Sequence, residues 1–410
     1  MTTKPKSCSK CPLYKTGIGF AKGMGDPKTA TALWVGEALG SDEADRGRPF
    51  CGGAGNILTA LARRSEWIST LTAEEASEER GIPERLLIKH GIYLDNVLRC
   101  QPSYSNKYPK GKTKEQAEAC CRQYDPALPN VKSVVAFGDH SFKLLSGQRK
   151  GGITLWQGSV LPSPLSHAAG VESPWHPRTE LVWSPVTTLH SWSSNGEKKV
   201  SAQAVCDSSS TWLTGVLHPA SLMRDPHGWP STINSLQKAL QAKQGKWVPP
   251  QVRLFRLDTL AAVRSVLRKL AKQSTQAKPV SCDIENTKTR PERAVIQCVA
   301  FCIEPPTSYV LPLYRLSGEP FWSTEDEKEV VKLMAEFFAS AYVLFQHGMH
   351  DVDIIEKRVG QVRRWVADLC YLHAAAYGEL KHNLGYIGST WTNYPQHKTL
   401  GKISEEEAEK

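Results

Sequence analysis

Residues 30–36 read ATALWVG, an apolar run that ends in glycine, and residues 37–43 continue as EALGSDE. Two further apolar runs follow, IYLDNVL at 92–98 and SVVAFG at 133–138, and helix-like segments separate the three. Apolar strands that alternate with helices are typical of a parallel sheet covered by helices on both faces. The first half of the chain is therefore predicted to be a three-layer α/β/α domain.

The sequence changes character near Gly245, where a helical pattern ends and Pro249-Pro250 follow. We predict a first domain over residues 1–245, a linker over 246–251 and a second domain over 252–410. The strand-like runs KPVSCDI, VIQCVAFCI and SYVLPL, followed by the helical DEKEVVKLMAEFFAS and the strand AYVLFQ, predict a second α/β domain whose first strands are joined by hairpins. Residues of about 160–210, rich in Ser, Pro, Trp and His, predict a surface insertion.

Composition excludes several classes of protein. The 410 residues are 40% hydrophobic and 22% charged, which rules out a collagen-like, coiled-coil or mainly disordered chain. There is no run of about 18 apolar residues and no secretory signal, so we expect no membrane span and a cytoplasmic location, or the host cytoplasm if a phage encodes the chain.

The net charge of +10 is concentrated in the first half of the chain. Residues 1–250 hold 30 Lys and Arg against 21 Asp and Glu, and residues 251–410 hold 21 against 20. A basic half that contains many aromatic residues suggests a phosphate-rich partner, although a merely solvated surface fits the charge equally well.

Cysteines form the first group of candidate ligands. Cys8 and Cys11 form a C-x-x-C pair, Cys100 follows the second strand, and Cys120-Cys121 lie on a predicted helix. A reducing compartment disfavours a disulfide framework. Four thiolates from these elements can hold zinc or a [4Fe–4S] cluster, and a redox pair or plain buried thiols are the alternatives.

Glycine-rich and polar motifs follow the predicted strands. The loop 36–43 leaves the first strand and leads to 47–55, GRPFCGGAG, whose glycines let backbone N–H groups approach a ligand. Ligands of open α/β sheets bind at the carboxyl ends of the strands, where this loop lies. The motifs DNVLRC (95–100) and HPASLMR (218–224) complete the set.

In this order, CSKCPL, GEALGSDE, GRPFCGGAG, DNVLRC, TKEQAEAC and HPASLMR resemble the motifs of the iron–sulfur uracil-DNA glycosylases, family 4 and its near relatives, over about residues 8–240. The resemblance implies hydrolysis of uracil from DNA and a structural [4Fe–4S] cluster held by Cys8, Cys11, Cys100 and Cys120. In that family a proline stands where this chain has Leu39.

The resemblance also implies a role for each site residue. Phe50 would stack on a flipped-out uracil, Asn96 would read its polar edge, and Ala38 would line the same pocket. His218 would stabilise negative charge on the leaving base, while Glu43 and Glu37 would shape the pocket and place water. The expected DNA contacts are the wedge residues Leu222 and Met223 and the phosphate-binding residues Arg224, Lys110 and Lys112.

Carboxylates form a second group in the second domain. Asp283 and Glu285 lie two apart at the end of a strand, and Asp351 follows on a predicted helix. Such carboxylates can hold two Mg²⁺ for phosphodiester hydrolysis, and ordinary surface acids are the alternative.

This stretch resembles the DEDD-type 3′–5′ exonuclease domains that precede family A DNA polymerases in phages. That implies a ribonuclease H-like α/β fold, here expected to lack its C-terminal part because the family's third motif, Y-x-x-x-D, does not follow. We expect an exonuclease that is inactive alone or is completed by a separate polymerase or exonuclease polypeptide.

The sequence thus predicts a uracil-DNA glycosylase, active on uracil-containing DNA, joined to a partial exonuclease domain. One alternative is the exonuclease part of a split phage-type polymerase, in which the glycosylase fold serves only to bind DNA. The other is a DNA-binding module without catalysis.

Overall fold

The computed structural model describes residues 2–68, 83–147, 151–163, 186–193, 196–203, 211–287, 291–315 and 317–395. The chain divides into two compact units. Unit 1 comprises Met1–Trp183, Cys206–Val248 and Gly385–Lys410, and unit 2 comprises Ser184–Val205 and Pro249–Leu384. The crossing after Val248 lies within the predicted linker, but each unit also takes a segment that we had placed in the other domain.

In chain order, the strands of the described residues are β1 (Ala32–Ala38), β2 (Ile92–Leu98), β3 (Ser133–Phe137), β4 (Val160–Pro162), β5 (Val186–Ser193), β6 (Gly196–Gln203), β7 (Trp212–Val216), β8 (Gln251–Arg256), β9 (Val280–Asn286), β10 (Ile296–Glu304), β11 (Thr307–Pro312), β12 (Val343–Phe345) and β13 (Trp365–Asp368).

The helices of the described residues are α1 (Ser41–Arg46), α2 (Gly53–Arg64), α3 (Pro83–Lys89), α4 (Gly111–Arg122), α5 (Asp139–Ser146), α6 (Ile153–Trp156), α7 (Pro219–Arg224), α8 (Trp229–Lys243), α9 (Leu260–Gln273), α10 (Thr324–Ser340), α11 (Met349–Arg358), α12 (Leu369–Ala376) and α13 (Leu384–Trp391). None of these helices is long and apolar enough to cross a membrane.

Unit 1 is built on a five-stranded sheet in the order β2-β1-β3-β7-β4, parallel except for β4. Successive residues of β1 face opposite sides of the sheet. Trp34 packs into one hydrophobic core with residues of α2 and α8, and Leu33 and Val35 pack into a second core with residues of α5 and α6. Cores on both faces of a mainly parallel sheet confirm the predicted α/β/α fold.

Unit 2 contains an eight-stranded sheet whose strands follow the order β13-β12-β9-β10-β11-β8-β5-β6. Strands β9, β10 and β11 pair antiparallel as the hairpin pattern predicted, and β12 and β13 continue in parallel beside β9. The five strands β9–β13 have the order of a ribonuclease H-like fold, which confirms the predicted fold class of this half.

The predicted insertion at about 160–210 contributes a β-hairpin to unit 2. Strand β5 pairs in parallel with β8 and antiparallel with β6, which extends the sheet by two strands. This pairing joins residues more than 60 positions apart, so local sequence patterns gave no indication of it. Residues 164–185, 194–195 and 204–210 of the insertion lie outside the described part of the chain.

The C-terminal helix α13 belongs mainly to unit 1, although we had placed it in the second domain. Buried Lys238 of α8 donates from Nζ to the carbonyl oxygens of Gly158 at 3.2 Å and of Ser389 and Thr392 at 2.5 Å. Ser389 Oγ also donates to the carbonyl of Gln157 at 2.9 Å. Burial lowers the pKa of Lys238 to about 7. A buried ammonium surrounded by carbonyls ties this helix to α8.

Candidate active site

The floor of the candidate site is formed where β1 and β2 run side by side. Gly36 pairs in register with Asn96, and a Cβ atom at Gly36 would overlap both Asn96 Oδ1 and the ring of Phe50. Glycine at this position therefore lets the Asn96 amide and the Phe50 ring lie together. Two of the residues predicted to hold the base are thus neighbours.

Asn96 presents a free hydrogen-bond donor. Its side chain is only 2% exposed, and within the described residues its Nδ2 has no hydrogen-bond partner. A buried amide donor without a partner costs about 1–3 kcal/mol, so such groups commonly await a ligand. The Asn96 backbone N–H donates to Asp95 Oδ1 at 2.8 Å. This polar edge is suited to a molecule that carries a hydrogen-bond acceptor.

Phe50 is held by Glu43 in an unusual backbone conformation. Its φ is 56°, in the left-handed region that non-glycine residues rarely adopt. Glu43 Oε1 accepts the Phe50 N–H, and Glu43 Oε2 accepts the Gly40 N–H at 2.5 Å. Burial raises the pKa of Glu43 to about 7 despite these two bonds. Both carboxylate oxygens of Glu43 thus hold the backbone of this segment.

Glu37 lies at the end of β1, next to the start of α5. Its Oε1 accepts the backbone N–H of His140 at 2.9 Å, and a Cβ atom at Gly138 would collide with its carboxyl group. Burial raises the pKa of Glu37, while the N–H bonds oppose the shift. Ala38, the next residue, is half-buried and packs against the hydrophobic cluster that contains Cys11, Cys100 and Cys121.

His218 stands at the N-cap of α7, immediately after β7. Its Nδ1 accepts the backbone N–H of Ala220 at 3.2 Å, which leaves the ring proton of a neutral imidazole on Nε2. Burial lowers the pKa of His218 to about 4, and nearby Arg224 lowers it further. His218 is therefore a neutral hydrogen-bond donor at pH 7.

The predicted DNA contacts differ in their exposure. Leu222 is 2% exposed and packs into the core of unit 1, so its prediction as a wedge between bases was wrong. Its neighbour Met223 is 56% exposed and lies against Gly53, the first residue of α2. Arg224, Lys110 and Lys112 are all exposed. Of the two proposed wedge residues, only Met223 has a side chain that can reach DNA.

The predicted cysteine ligands line one small cavity. Cys8, Cys11, Cys100 and Cys120 all line it, together with Cys121. They are free thiols. No three His, Cys, Asp or Glu side chains of the described residues are gathered closely enough to hold a metal ion. An iron–sulfur cluster is larger than one ion and takes a thiolate at each iron, so a cavity ringed by thiols suits it better.

Arg99 is a site residue that the sequence reasoning missed. This buried guanidinium contacts Asp95 Oδ1 at 3.1 Å and Asp125 Oδ1 at 2.9 Å, and it donates to the carbonyl of Cys121 at 3.1 Å. It links the strand that carries Asn96 to the cysteine cavity. The only sequence signal was its position between Asn96 and Cys100.

In unit 2, the predicted carboxylates occupy neighbouring elements. Asp283 and Glu285 lie on the exposed face of β9, and Asp351 accepts the backbone N–H of Ile284 between them. Burial raises the pKa of Asp351 to about 7, and the charges of Asp283, Glu285 and Asp368 add to the shift. Asp368, which we had not singled out, accepts backbone N–H groups at 2.7–2.9 Å.

Comparison with known proteins defines the class. Residues 22–244 match the uracil DNA glycosylase superfamily. This is more than half of the chain, and the chain therefore belongs to the uracil DNA glycosylase superfamily.

Individual relatives cover smaller parts of the chain. The type-4 uracil-DNA glycosylase of Archaeoglobus fulgidus is 35% identical over 129 residues, which are 30% of this chain and 52% of that protein. The type-4 enzyme of Thermotoga maritima is 29% identical over 165 residues, 39% of this chain and 72% of that protein. The chain spans about half the length of most of the curated relatives it matches.

Solved structures resemble 38% of the chain at low TM-scores. Escherichia coli RNase D, an exoribonuclease, is 14% identical with a TM-score of 0.25, covering 38% of this chain and 39% of that one. The NrnC protein of Brucella melitensis with bound Mg²⁺ is 17% identical with a TM-score of 0.24, covering 38% and 71%. TM-scores of this size support no inference about function.

Proposed function

We propose that this chain removes uracil from DNA by hydrolysing the N-glycosidic bond of a deoxyuridine turned out of the DNA stack. The observation that carries the proposal is the pairing of the unpartnered Asn96 amide with the Phe50 ring across Gly36. An aromatic face beside a buried amide is suited to a planar base with a polar edge. Ala38 adjoins this pocket as the residue after Glu37.

Phe50 and Asn96 bind the base in the proposed reaction. The Phe50 ring stacks on uracil, and Asn96 Nδ2 donates to a carbonyl oxygen of the base while its Oδ1 accepts from the ring N–H. Glu43 fixes this geometry because it holds the Phe50 backbone in place. Holding the base in position before the reaction lowers the activation barrier. This contribution does not depend on charge on the base.

His218 stabilises the leaving group. Breaking the glycosidic bond leaves negative charge on uracil, and a neutral Nε2–H donor can meet that charge as it develops. We assign Glu37 to hold water near the sugar, because its half-buried carboxylate lies at the end of β1 and is held in place by the backbone N–H groups of His140 and Asp139. Met223, Arg224, Lys110 and Lys112 are proposed as DNA contacts.

The thiols fit a [4Fe–4S] cluster held by Cys8, Cys11, Cys100 and Cys120. When bound, the cluster cross-links the N-terminal segment to β2 and α4 and supplies no step of the reaction. Cys121 lines the same cavity, so the choice of Cys120 remains part of the proposal. Loss of iron from Cys120→Ala but not from Cys121→Ala would support it; the reverse would reassign the fourth ligand.

The proposed activity is tested with an oligonucleotide that contains one uracil. Asn96→Ala and His218→Ala should each lower kcat about 10²-fold or more, the scale of losing one preorganised donor. DNA affinity should persist because phosphate contacts dominate it. His227→Ala is the control, since His227 is exposed in the turn before α8. A wild-type chain that binds DNA but releases no uracil would favour the binding-module alternative.

A second candidate function, 3′–5′ exonuclease activity in a split polymerase, rests on Asp283, Glu285 and Asp351 lying beside one another. The described carboxylates are not gathered around one point as a metal site requires, so we propose no step through Mg²⁺. We expect that this chain alone does not shorten a 3′-labelled primer in the presence of Mg²⁺. Shortening would require a separate polypeptide that completes the site. Shortening that Asp283→Ala abolishes would contradict this expectation.

A further inference from the structure

A groove on unit 1 lies outside the pocket just described. It has a volume of about 450 Å³ and is lined chiefly by Thr3, Lys4, Tyr14, Lys15, Thr16 and Tyr104. Tyr104 is 84% exposed and Tyr14 38% exposed, and Lys15 and Thr16 are also exposed. No Asp or Glu is among the described residues that line it. We call this surface the tyrosine groove.

The floor of the tyrosine groove is rigid. Lys4 Nζ donates to the carbonyl oxygens of Leu13 and Tyr14 at 2.7 Å and of Gly17 at 2.5 Å. The next residue, Ile18, exchanges two backbone hydrogen bonds with Gln101, at 2.8 and 3.0 Å. The floor is thereby fastened to the residue after Cys100 and keeps its shape without a ligand.

The groove is connected to the elements of the candidate site at two points. At one end, Thr2 Oγ1 donates to the carbonyl of Ala44 at 3.0 Å, and its methyl group fills the space beside Gly47. Ala44 follows Glu43 on α1. At the other end, Tyr104 stands on a turn closed by the Asn106 N–H to the Ser103 carbonyl at 2.9 Å, eight residues after Asn96. The groove therefore borders the helix that carries Glu43 and the segment that follows β2.

We infer that the tyrosine groove holds the single-stranded DNA that flanks the flipped nucleotide. Bases stack on Tyr104 and Tyr14, and Lys15 and the Thr3 and Thr16 hydroxyls contact phosphates. Aromatic platforms within an electropositive groove are the arrangement by which proteins bind single strands without reading sequence. This inference rests on the proposed function, because it takes DNA as the substrate.

The test measures binding of a labelled, uracil-free, single-stranded oligonucleotide to the full chain by fluorescence anisotropy. Tyr104→Ala should weaken binding roughly 5- to 100-fold, the value of one stacked base. Tyr104→Phe should restore it, because the ring is kept. Lys15→Ala should reduce the salt slope by about 0.7, the value of one phosphate contact on a single strand.

The control variant is Tyr371→Ala, since Tyr371 is an aromatic side chain of unit 2 that is 58% exposed and outside the groove. It should bind as the wild type does. In steady-state uracil release, Tyr104→Ala should raise KM and leave kcat within about twofold, because the stack contributes equally to ground and transition states.

The outcomes separate the inference from the proposed function. If Tyr104→Ala leaves the DNA affinity, the KM and uracil release unchanged, the inference about the groove is rejected and the proposed activity is not affected. If Tyr104→Ala weakens DNA binding but the wild-type chain releases no uracil, the inference about the groove is supported and the proposed activity is rejected. Weaker binding of duplex only, with the single strand unaffected, would also overturn the inference.

Discussion

Two carboxyl groups, buried Glu43 in unit 1 and half-buried Asp351 in unit 2, have a pKa raised to about 7, in both cases chiefly by burial. Around Glu43, two backbone N–H groups oppose the shift, and the charges of Asp42 and Glu84 add less to it. Around Asp351, the charge of Asp283 is the next cause after burial, Glu285 and Asp368 add to it, and the Ile284 N–H opposes them. Backbone N–H groups therefore dominate the surroundings of Glu43, whereas like charges dominate those of Asp351.

Glu43 therefore belongs to a site in which a carboxylate fixes the position of the backbone, whereas Asp351 belongs to a group of like charges. Both oxygens of Glu43 accept backbone N–H groups of the Gly40–Phe50 segment, so Glu43 acts through Phe50. A carboxylate among other carboxylates is relieved by a cation or by a proton. A third carboxylate, Asp95, has a cation for compensation, because Arg99 pairs with it in a buried network that also contains Asp125.

The largest expected effect comes from removing that compensation. Arg99→Met leaves Asp95 and Asp125 buried without their cation and should lower the stability of unit 1 by about 3–5 kcal/mol. Calorimetry or denaturant unfolding of the full chain measures it. Arg85→Met is the control, because Arg85 is an exposed arginine on α3. Similar stability in both variants would mean that the Asp95 network contributes little.

The next effect tests Glu43 as a positioning residue. Glu43→Gln places an NH₂ group against one of the two N–H groups of Gly40 and Phe50, which should release the Phe50 loop. We expect uracil release to fall about 10- to 100-fold through kcat, the cost of misplacing one contact in the site. Asp42→Asn, the neighbour on α1, is the control. Unchanged kcat in Glu43→Gln would remove Glu43 from the site.

The sequence predicted the parts of the site that lie on strands. Gly36 ends the apolar run 30–36 and Asn96 lies within the run 92–98, so their positions side by side follow from two neighbouring parallel strands, whereas the strand before His218 was not predicted. Leu222 was misassigned because α7 has only six residues, too few for a periodic pattern to show which side faces inward. The Arg99 network, the β5–β8 pairing and the docking of α13 join distant residues, and no local pattern encodes them.

A smaller effect tests the repulsion around Asp351. Its pKa in the folded chain, about 7, exceeds the ordinary value of 3.8, so the folded state binds more protons than the unfolded state between these pH values. Stability contributed by this group therefore falls as pH rises from about 4 to about 7. Asp351→Asn should raise the Tm of unit 2 at pH 8 by about 2–4 °C, and by less at pH 5.

The matched control for that measurement is Asp353→Asn. Asp353 lies on the same helix, is exposed and pairs with Lys357 at 2.8 Å. Its replacement should leave the Tm within about 1 °C, since exposed pairs contribute little. A gain in Asp353→Asn equal to that in Asp351→Asn would show that the helix, rather than the carboxylate group, responds to charge.

The smallest expected effect is the response to Mg²⁺. A cation near Asp283, Glu285 and Asp351 relieves their repulsion even without a well-formed site, and at a concentration equal to Kd it stabilises by about 0.4 kcal/mol. Millimolar Mg²⁺ at pH 8 should therefore raise the Tm of unit 2 by about 1 °C. The shift should disappear in Asp351→Asn and persist in Glu43→Gln, because Glu43 belongs to unit 1 and not to the carboxylate group of unit 2. A shift that survives in Asp351→Asn would place the cation elsewhere and remove the distinction between the two carboxyl groups.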